Sequence, residues 1–227
     1  MIFFDIDDTL IDFKTAEYLG VKDFYTLFKN CFECDEETFH KYWSNISEKN
    51  YNRFLKGELS FKQQRVERLK EIFALSDIKL SDEEALDRFL IYSKAFEDNW
   101  RLFDDVIICL QSLSEYELGI ISNGDLNQQN GKLERMNIRR YFKYVITSGE
   151  FGVSKPDVKI FEIACQKANK PVTECWYVGD RYKTDIVPCM EISMNCIWLN
   201  RKHEKMIDNN VIIVSNLIET IPILTKQ

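Results

Sequence analysis

The run Ile2-Phe3-Phe4-Asp5-Ile6-Asp7-Asp8-Thr9-Leu10 is apolar until it ends in three carboxylates and a hydroxyl. Beta-branched and aromatic residues with little polar relief suit a strand covered on both faces, as in a parallel sheet. Ligands of such sheets bind outside the carboxyl ends of the strands. The pattern therefore delivers Asp5 and Asp7 to the edge where chemistry takes place. Asp clusters also begin turns and cap helices, and Asp8 and Asp12 are read that way.

The 227 residues, 45% hydrophobic and 13% aromatic, suffice for a full core, as one large domain or as a domain carrying an insertion. A net charge of -7 argues against a nucleic-acid polymer as partner, because phosphate backbones are bound through clustered Lys and Arg. A small anionic ligand stays compatible with that charge if a metal supplies the positive centre. No signal segment opens the sequence and no stretch approaches the about 20 apolar residues that span a bilayer, so a cytoplasmic protein without a membrane is expected. Seven cysteines, an odd number, are expected as reduced thiols. Cys31 and Cys34 have zinc spacing but no second pair nearby to complete four ligands. His40 and His203 lie away from the acidic motifs and are read as structural.

Two regions differ in periodicity. From 14 to 98 the apolar residues fall on helix faces: Phe24, Leu27 and Phe28; Phe39, Tyr42, Trp43 and Ile46; Val66, Leu69, Ile72 and Phe73; Leu86, Phe89 and Leu90, with the small Ser93 continuing the last face. Ser60-x-x-Gln63 and Ser81-x-x-Glu84 are capping-box starts. Beyond about residue 100, apolar strands at Leu118 to Ser122, Tyr144 to Thr147, Trp176 to Gly179, Asn195 to Leu199 and Val211 to Val214 alternate with amphipathic helices. Such alternation implies an α/β fold, a Rossmann-like parallel sheet flanked by helices. The first strand, expected over residues 2 to 7, belongs to that sheet, which predicts a catalytic core of 1–13 with 99–227, interrupted by an all-helical cap of 14–98.

Three more polar clusters follow strands. Ser122-Asn123-Gly124 ends one strand in a hydroxyl and a turn. Ser154-Lys155-Pro156 sets a lysine before a proline expected to start a helix in its tolerated first turn. Gly179-Asp180 and Asp185 end a third strand in a glycine turn with two carboxylates. Each alone has a bland reading as a turn, a solvated charge or a helix-start acid. Together, in this order, they form a constellation.

Order and spacing resemble the haloacid dehalogenase-like hydrolase superfamily, whose four motifs are matched by Asp5-x-Asp7-x-Thr9, Ser122, Lys155 and Gly179-Asp180-x-x-x-x-Asp185. The flanking segments Ile2-Phe3-Phe4-Asp5, Gly57-Glu-Leu-Ser60, Ile120-Ile-Ser-Asn-Gly124, Gly152-Val-Ser-Lys-Pro156, Ile160-Phe161 and Trp198-Leu-Asn200 are similar to the pyrimidine 5′-nucleotidase (YjjG/YfnB-like) subgroup. The resemblance implies a Mg²⁺-dependent phosphatase acting on a small phosphorylated metabolite, with a nucleoside 5′-monophosphate as the expected partner. It implies Asp5 as nucleophile, Asp7 as proton carrier, and metal ligation by Asp5, the Asp7 backbone carbonyl and Asp180. Asp185 would orient waters or Lys155, while Thr9, Ser122, Asn123 and Lys155 bind phosphate. Trp43, Tyr51 and Phe54 of the cap are candidates to line a base pocket. The segment Arg101-Leu-Phe-Asp-Asp105 lacks the Pro-Gly pair many relatives carry, leaving its turn unassigned.

The chemistry needs these groups. Two unit anions 4 Å apart repel by roughly 1 kcal/mol in water and by about 4 at an effective dielectric of 20, so a carboxylate attacking a phosphate requires a cation. Carboxylates supply the hard oxygens that suit Mg²⁺, and Lys155 a fixed positive charge. Asp7, with a pKa expected to rise toward neutrality, would protonate the leaving alkoxide and then accept a proton from water. A 2-haloacid dehalogenase needs no acid at position 7. A sugar phosphomutase uses the same residues but keeps water out. A receiver-type phosphorylation switch places its aspartate on a later strand without such an insertion.

Overall fold

The computed structural model describes residues 1–205 and 211–225; residues 206–210 and 226–227, counted with the expected core, lie outside the described residues. In chain order the first elements are β1 (Ile2–Phe4), α1 (Phe13–Phe28), α2 (Glu36–Leu55), α3 (Phe61–Ala74), α4 (Asp82–Asp98), α5 (Val106–Ser112), β2 (Leu118–Ser122) and α6 (Leu126–Arg135). There follow β3 (Phe142–Thr147), α7 (Ser148–Phe151), α8 (Lys159–Ala168), β4 (Trp176–Gly179), α9 (Val187–Glu191), β5 (Asn195–Leu199), β6 (Ile212–Val214) and α10 (Ile221–Leu224). They divide into two compact units, Met1–Asp12 with Arg101–Gln227, and Phe13–Trp100. Among the described residues no helix is long and apolar enough to cross a membrane.

In the first unit a six-stranded sheet has the order β3-β2-β1-β4-β5-β6, and every pairing is parallel. It is the expected α/β architecture. β1 lies between β2 and β4, so the chain reverses its winding direction beside β1 and leaves a crevice there. The apolar run that begins the chain explains its central place: Ile2, Phe3 and Phe4 are all at most 2% exposed, as a strand covered on both faces requires. One layer of core lies under Phe4, Ile6, Leu110, Leu118, Val178 and Ile197, and another under Phe3, Ile121, Phe161 and Tyr177.

Two boundaries differ from the sequence reading. β1 stops at Phe4 rather than running to Asp7, because after the Asp5 amide bonds the Val178 carbonyl (3.0 Å) the chain turns back on itself. The Leu10 and Ile11 amides then both bond the Ile6 carbonyl, and Asp8 takes a left-handed φ of 62°. Asp7 therefore sits in a turn above the strand end. Pro156 does not open a helix either. It lies in a turn closed by the Asp157 amide on the Ser154 carbonyl, and α8 begins at Lys159, whose amide bonds Asp157 Oδ1.

The second unit is helical throughout. Both capping boxes form, Ser60 with Gln63 and Ser81 with Glu84, and Asp35 caps α2 through the Thr38 amide. Its core is aromatic: the Phe24 ring lies 5.3 Å from Trp43, 4.7 Å from Phe28 and 6.3 Å from Phe73. Gly20 admits α4 closely, since a Cβ there would meet the Phe96 Cα at 2.8 Å. Leu27, Tyr42 and Leu90, counted on the apolar faces, are instead 64%, 41% and 54% exposed. Each sits at the margin of its stripe, where 100° per residue carries it off the packed face. Trp43 is fully buried among Phe24, Phe39 and Tyr92, so packing replaces the pocket role expected of it. Tyr51 and Phe54 stay partly exposed and form a row with Phe61.

Because Phe24 touches at least five rings, its removal should leave a cavity that rigid neighbours cannot fill. Phe24→Ala is expected to destabilise the chain by about 3–5 kcal/mol in urea unfolding followed by tryptophan fluorescence, against less than about 0.5 for exposed Leu27→Ala.

Candidate active site

Four loops at the carboxyl ends of β1, β2, β3 and β4 bring the polar clusters together, all within the first unit. β1 delivers Asp5, only 6% exposed, and β4 ends in Gly179-Asp180. Parallel pairing at Phe4 and Val178 sets the two strand ends side by side. Carboxylate oxygens of Asp5, Asp180 and Asp185 all lie within 4.8 Å of one another. Lys155 pairs with two of the three, Asp5 and Asp185. Its ammonium donates to Asp5 Oδ1 at 2.7 Å, Asp185 Oδ1 at 2.7 Å and the Tyr177 hydroxyl at 2.8 Å.

Each partner is fixed by local structure. Asn123, in the turn after β2, clasps the Lys155 backbone: its amide donates to the Lys155 carbonyl (2.9 Å) and its carbonyl accepts from the Lys155 amide (2.8 Å). The Asn123 side chain thus holds the lysine loop. Asp185, fully buried, takes the Arg181 amide on Oδ2 at 2.9 Å. Gly179 is required at its place, because a Cβ would come within 2.6 Å of that same Asp185 oxygen. Asp185 thus bonds both the Lys155 ammonium and the backbone after β4.

Burial of so many like charges moves their protonation. Burial, opposed by Lys155 and reinforced by Asp185 and Asp7, lifts Asp5 to about 6. Burial, then Asp5, Asp185 and Asp8, lifts Asp180 to about 8. For Lys155, burial works against the ammonium, but Asp185 and Asp5 outweigh it and hold the group above the ordinary lysine range. Asp180 Oδ1 is buried without a hydrogen-bond partner among the described residues. A crowded, oxygen-only set with an orphaned carboxylate oxygen fits a hard divalent cation. Asp5 and Asp180 can offer it side-chain oxygens, whereas the Asp7 carboxylate faces elsewhere, leaving its backbone carbonyl.

Asp7 reveals partners the sequence reading missed. Both its oxygens accept from the Lys132 ammonium, at 2.6 and 2.8 Å, and Gln129 Nε2 approaches Oδ2 at 3.3 Å. The same Gln129 donates to Ser122 Oγ at 2.7 Å, while Thr9 Oγ1 is buried with no partner among the described residues. Tyr177, beneath Lys155, was missed as well. So was a strut below the β1 turn, where Arg201 forks onto Asp105 (2.8 and 2.9 Å) and donates to the Thr9 carbonyl (3.0 Å). This assigns the segment Arg101 to Asp105: it braces the acid loop, with the Phe103 amide on the Leu10 carbonyl. The cysteines are free thiols, and His40 stacks on Tyr18 in the helical unit.

The family model for haloacid dehalogenase-like hydrolases matches residues 1–188. The chain belongs to this family of hydrolases. Among curated relatives, the Escherichia coli pyrimidine 5′-nucleotidase YjjG is 37% identical over 90 residues, which span 39% of this chain and 40% of that protein. The Pyrococcus abyssi glyceraldehyde 3-phosphate phosphatase is 28% identical over 87% of this chain and 80% of its own length. Among solved structures, the putative HAD-hydrolase YfnB of Bacillus subtilis, bound to magnesium, superposes with a TM-score of 0.78 at 18% identity, covering 99% of this chain and 97% of its own. The 2-haloacid dehalogenase of Pseudomonas syringae superposes with a TM-score of 0.73 at 20% identity, covering 99% of this chain and 97% of its own.

Carboxyls with a folded pKa above the unfolded one bind more protons when folded. The stability they confer is full below about pH 4 and is lost as pH rises through the folded values. Without a divalent cation the melting temperature should therefore fall from about pH 5 to about pH 8, and added MgCl₂ should restore more of it at the higher pH. Asp180→Asn should flatten both responses in a thermal-shift series. A wild-type melting temperature indifferent to Mg²⁺ at about pH 8 would contradict the cation site.

Proposed function

We propose that the chain is a Mg²⁺-dependent phosphatase that hydrolyses small phosphate monoesters through a phosphorylated Asp5, with nucleoside 5′-monophosphates as preferred substrates. The observation that carries this reading is the Asp5 carboxylate at the β1 edge, one oxygen on Lys155 and facing Asp180 and Asp185. At about 6, Asp5 is an anion at neutral pH, the form a nucleophile needs. The phosphatases among its relatives support an ester substrate, and the YjjG segment supports a nucleotide one.

Asp5, the Asp7 carbonyl and Asp180 would hold Mg²⁺, which would supply positive charge to the phosphoryl oxygens. The chain's own groups do the rest. Lys155 fixes the Asp5 carboxylate for in-line approach and adds a second positive charge. Thr9 and Ser122 hydroxyls hold phosphoryl oxygens. An Asp5 oxygen forms a bond to phosphorus as the ester P–O bond breaks, and the leaving oxygen takes its proton from Asp7. Water then attacks phosphorus, passes a proton to Asp7 and restores the Asp5 carboxylate with release of inorganic phosphate.

Dehalogenation is the second reading, since dehalogenases share the fold. Asp7 counts against it: carbon attack with loss of halide has no leaving alkoxide to protonate, yet Asp7 is held in place by a buried lysine. Localisation in the cytoplasm is part of the same proposal.

Phosphate release from a panel of pyrimidine and purine monophosphates and sugar phosphates tests this. Release should require Mg²⁺, stop with EDTA, fall below detection in Asp5→Asn and drop about 100- to 10,000-fold in Asp7→Asn. Halide release from 2-haloacids without phosphatase activity would contradict the reaction. Equal rates on sugar phosphates would contradict the nucleotide preference alone.

A further inference from the structure

Helix α6, which starts four residues after Ser122, turns two polar side chains inward at positions where a helix on a sheet carries core residues. Gln129, Lys132 and Leu133 fall at i, i+3 and i+4 and are 1%, 2% and 0% exposed. Burying a lysine is costly unless its charge is paired. Lys132 is paired, through both oxygens of Asp7 at 2.6 and 2.8 Å, on a side chain 3% exposed against 22% for Asp7. Neither residue lies in the acid loop or in the motifs after β3 and β4. Both reach Asp7, the residue proposed to carry the proton.

We infer that Lys132 is a positioning residue for proton transfer by Asp7, seconded by Gln129, which ties Asp7 Oδ2 to Ser122 Oγ. This rests on the phosphatase reading. Three features of the geometry support it. A two-oxygen grip fixes both the place and the plane of the Asp7 carboxylate, which a single hydrogen bond would leave free to rotate. The backbone bonds of the turn, the Leu10 and Ile11 amides on Ile6 and the Asp8 amide on Ile11, flank Asp7 without holding its side chain, which is anchored from another element. Gln129 donates to Ser122 Oγ at 2.7 Å, so that hydroxyl is an acceptor toward Gln129, and its own hydrogen is directed elsewhere, with the Asn123 carbonyl 3.5 Å away. One face of α6 thus places the proton carrier and a phosphate-binding hydroxyl in fixed relation.

The role has a signature that general structural support lacks. In the first step Asp7 gives a proton to the leaving oxygen as its bond to phosphorus breaks. An alkoxide needs that proton, whereas a nitrophenolate leaves without it. A residue acting through Asp7 must therefore matter more for alkyl than for nitrophenyl esters.

The test compares kcat/KM of wild type, Lys132→Met, Asp7→Asn and the double variant on 4-nitrophenyl phosphate and on the best primary alkyl phosphate of the panel. Lys132→Met is expected to lose about 10- to 100-fold on the alkyl ester and less than about 3-fold on the nitrophenyl ester. In the Asp7→Asn background the same change should cost less than about 3-fold on the alkyl ester, because the two residues act as one unit. The ratio of the two esters within one preparation is independent of the folded fraction, so a poorly folding variant still reports. Equal losses on both esters, or the same alkyl loss with and without Asp7, would overturn the role of Lys132. A wild-type chain that releases no phosphate would overturn the functional reading and this role with it.

Discussion

The site is organised around one buried ammonium. Lys155 contacts Asp5, Asp185 and Tyr177 within 2.8 Å, and each contact ties a different element to it. Asp5 leads back to the end of β1, Asp185 to the loop after β4, and Tyr177 to the interior of β4. Removing one partner from such a buried pair costs roughly 3–5 kcal/mol, because the remaining charge is stranded away from water. The lysine loop itself is held by the Asn123 clasp, which links it to the end of β2. Fold and site are therefore coupled through the same charge, and the surplus of carboxylates around it is what calls for a further cation.

That surplus also separates two kinds of aspartate. Asp5 and Asp180 are pushed up, to about 6 and about 8, by burial first and then by neighbouring acids; the Asp7 oxygens accept from Lys132. A nucleophile and metal ligands are served by the first environment once a cation neutralises it. A proton carrier is served by an anchor that fixes its orientation. Carboxylates two residues apart thus receive different surroundings because the turn after Phe4 sends their side chains to different neighbours.

Much of the sheet could be read before the structure, since uninterrupted apolar runs such as Leu118 to Ser122 admit few alternatives to buried strands. The polar groups at their ends, Asp5, Ser122, Lys155 and Asp180, were visible for the same reason: each breaks an apolar run abruptly. The supports were not visible, for physical reasons. Gln129 and Lys132 look like the exposed face of a polar helix, and only their spacing with Leu133 hints otherwise. Tyr177 reads as one more aromatic core residue, and its hydroxyl finds Lys155 only in three dimensions. Arg201 and Asp105 are far apart in sequence and meet below the Thr9 turn. In the helical unit, periodicity located the faces but not their margins, so Leu27 and Leu90 were assigned inside. Trp43, a pocket candidate on the sequence, is fully buried in the aromatic core that its helical spacing also allows.

The central claim is that Lys155 and the surrounding carboxylates prepare Asp5, and no other residue, to accept a phosphoryl group. Acid quench of the enzyme during turnover with Mg²⁺ and substrate, followed by peptide mass spectrometry, reads this directly. The phosphoryl group should be found on the N-terminal peptide at Asp5, and not in Asp5→Asn. Phosphate release accompanied by phosphorylation of another residue would contradict the account.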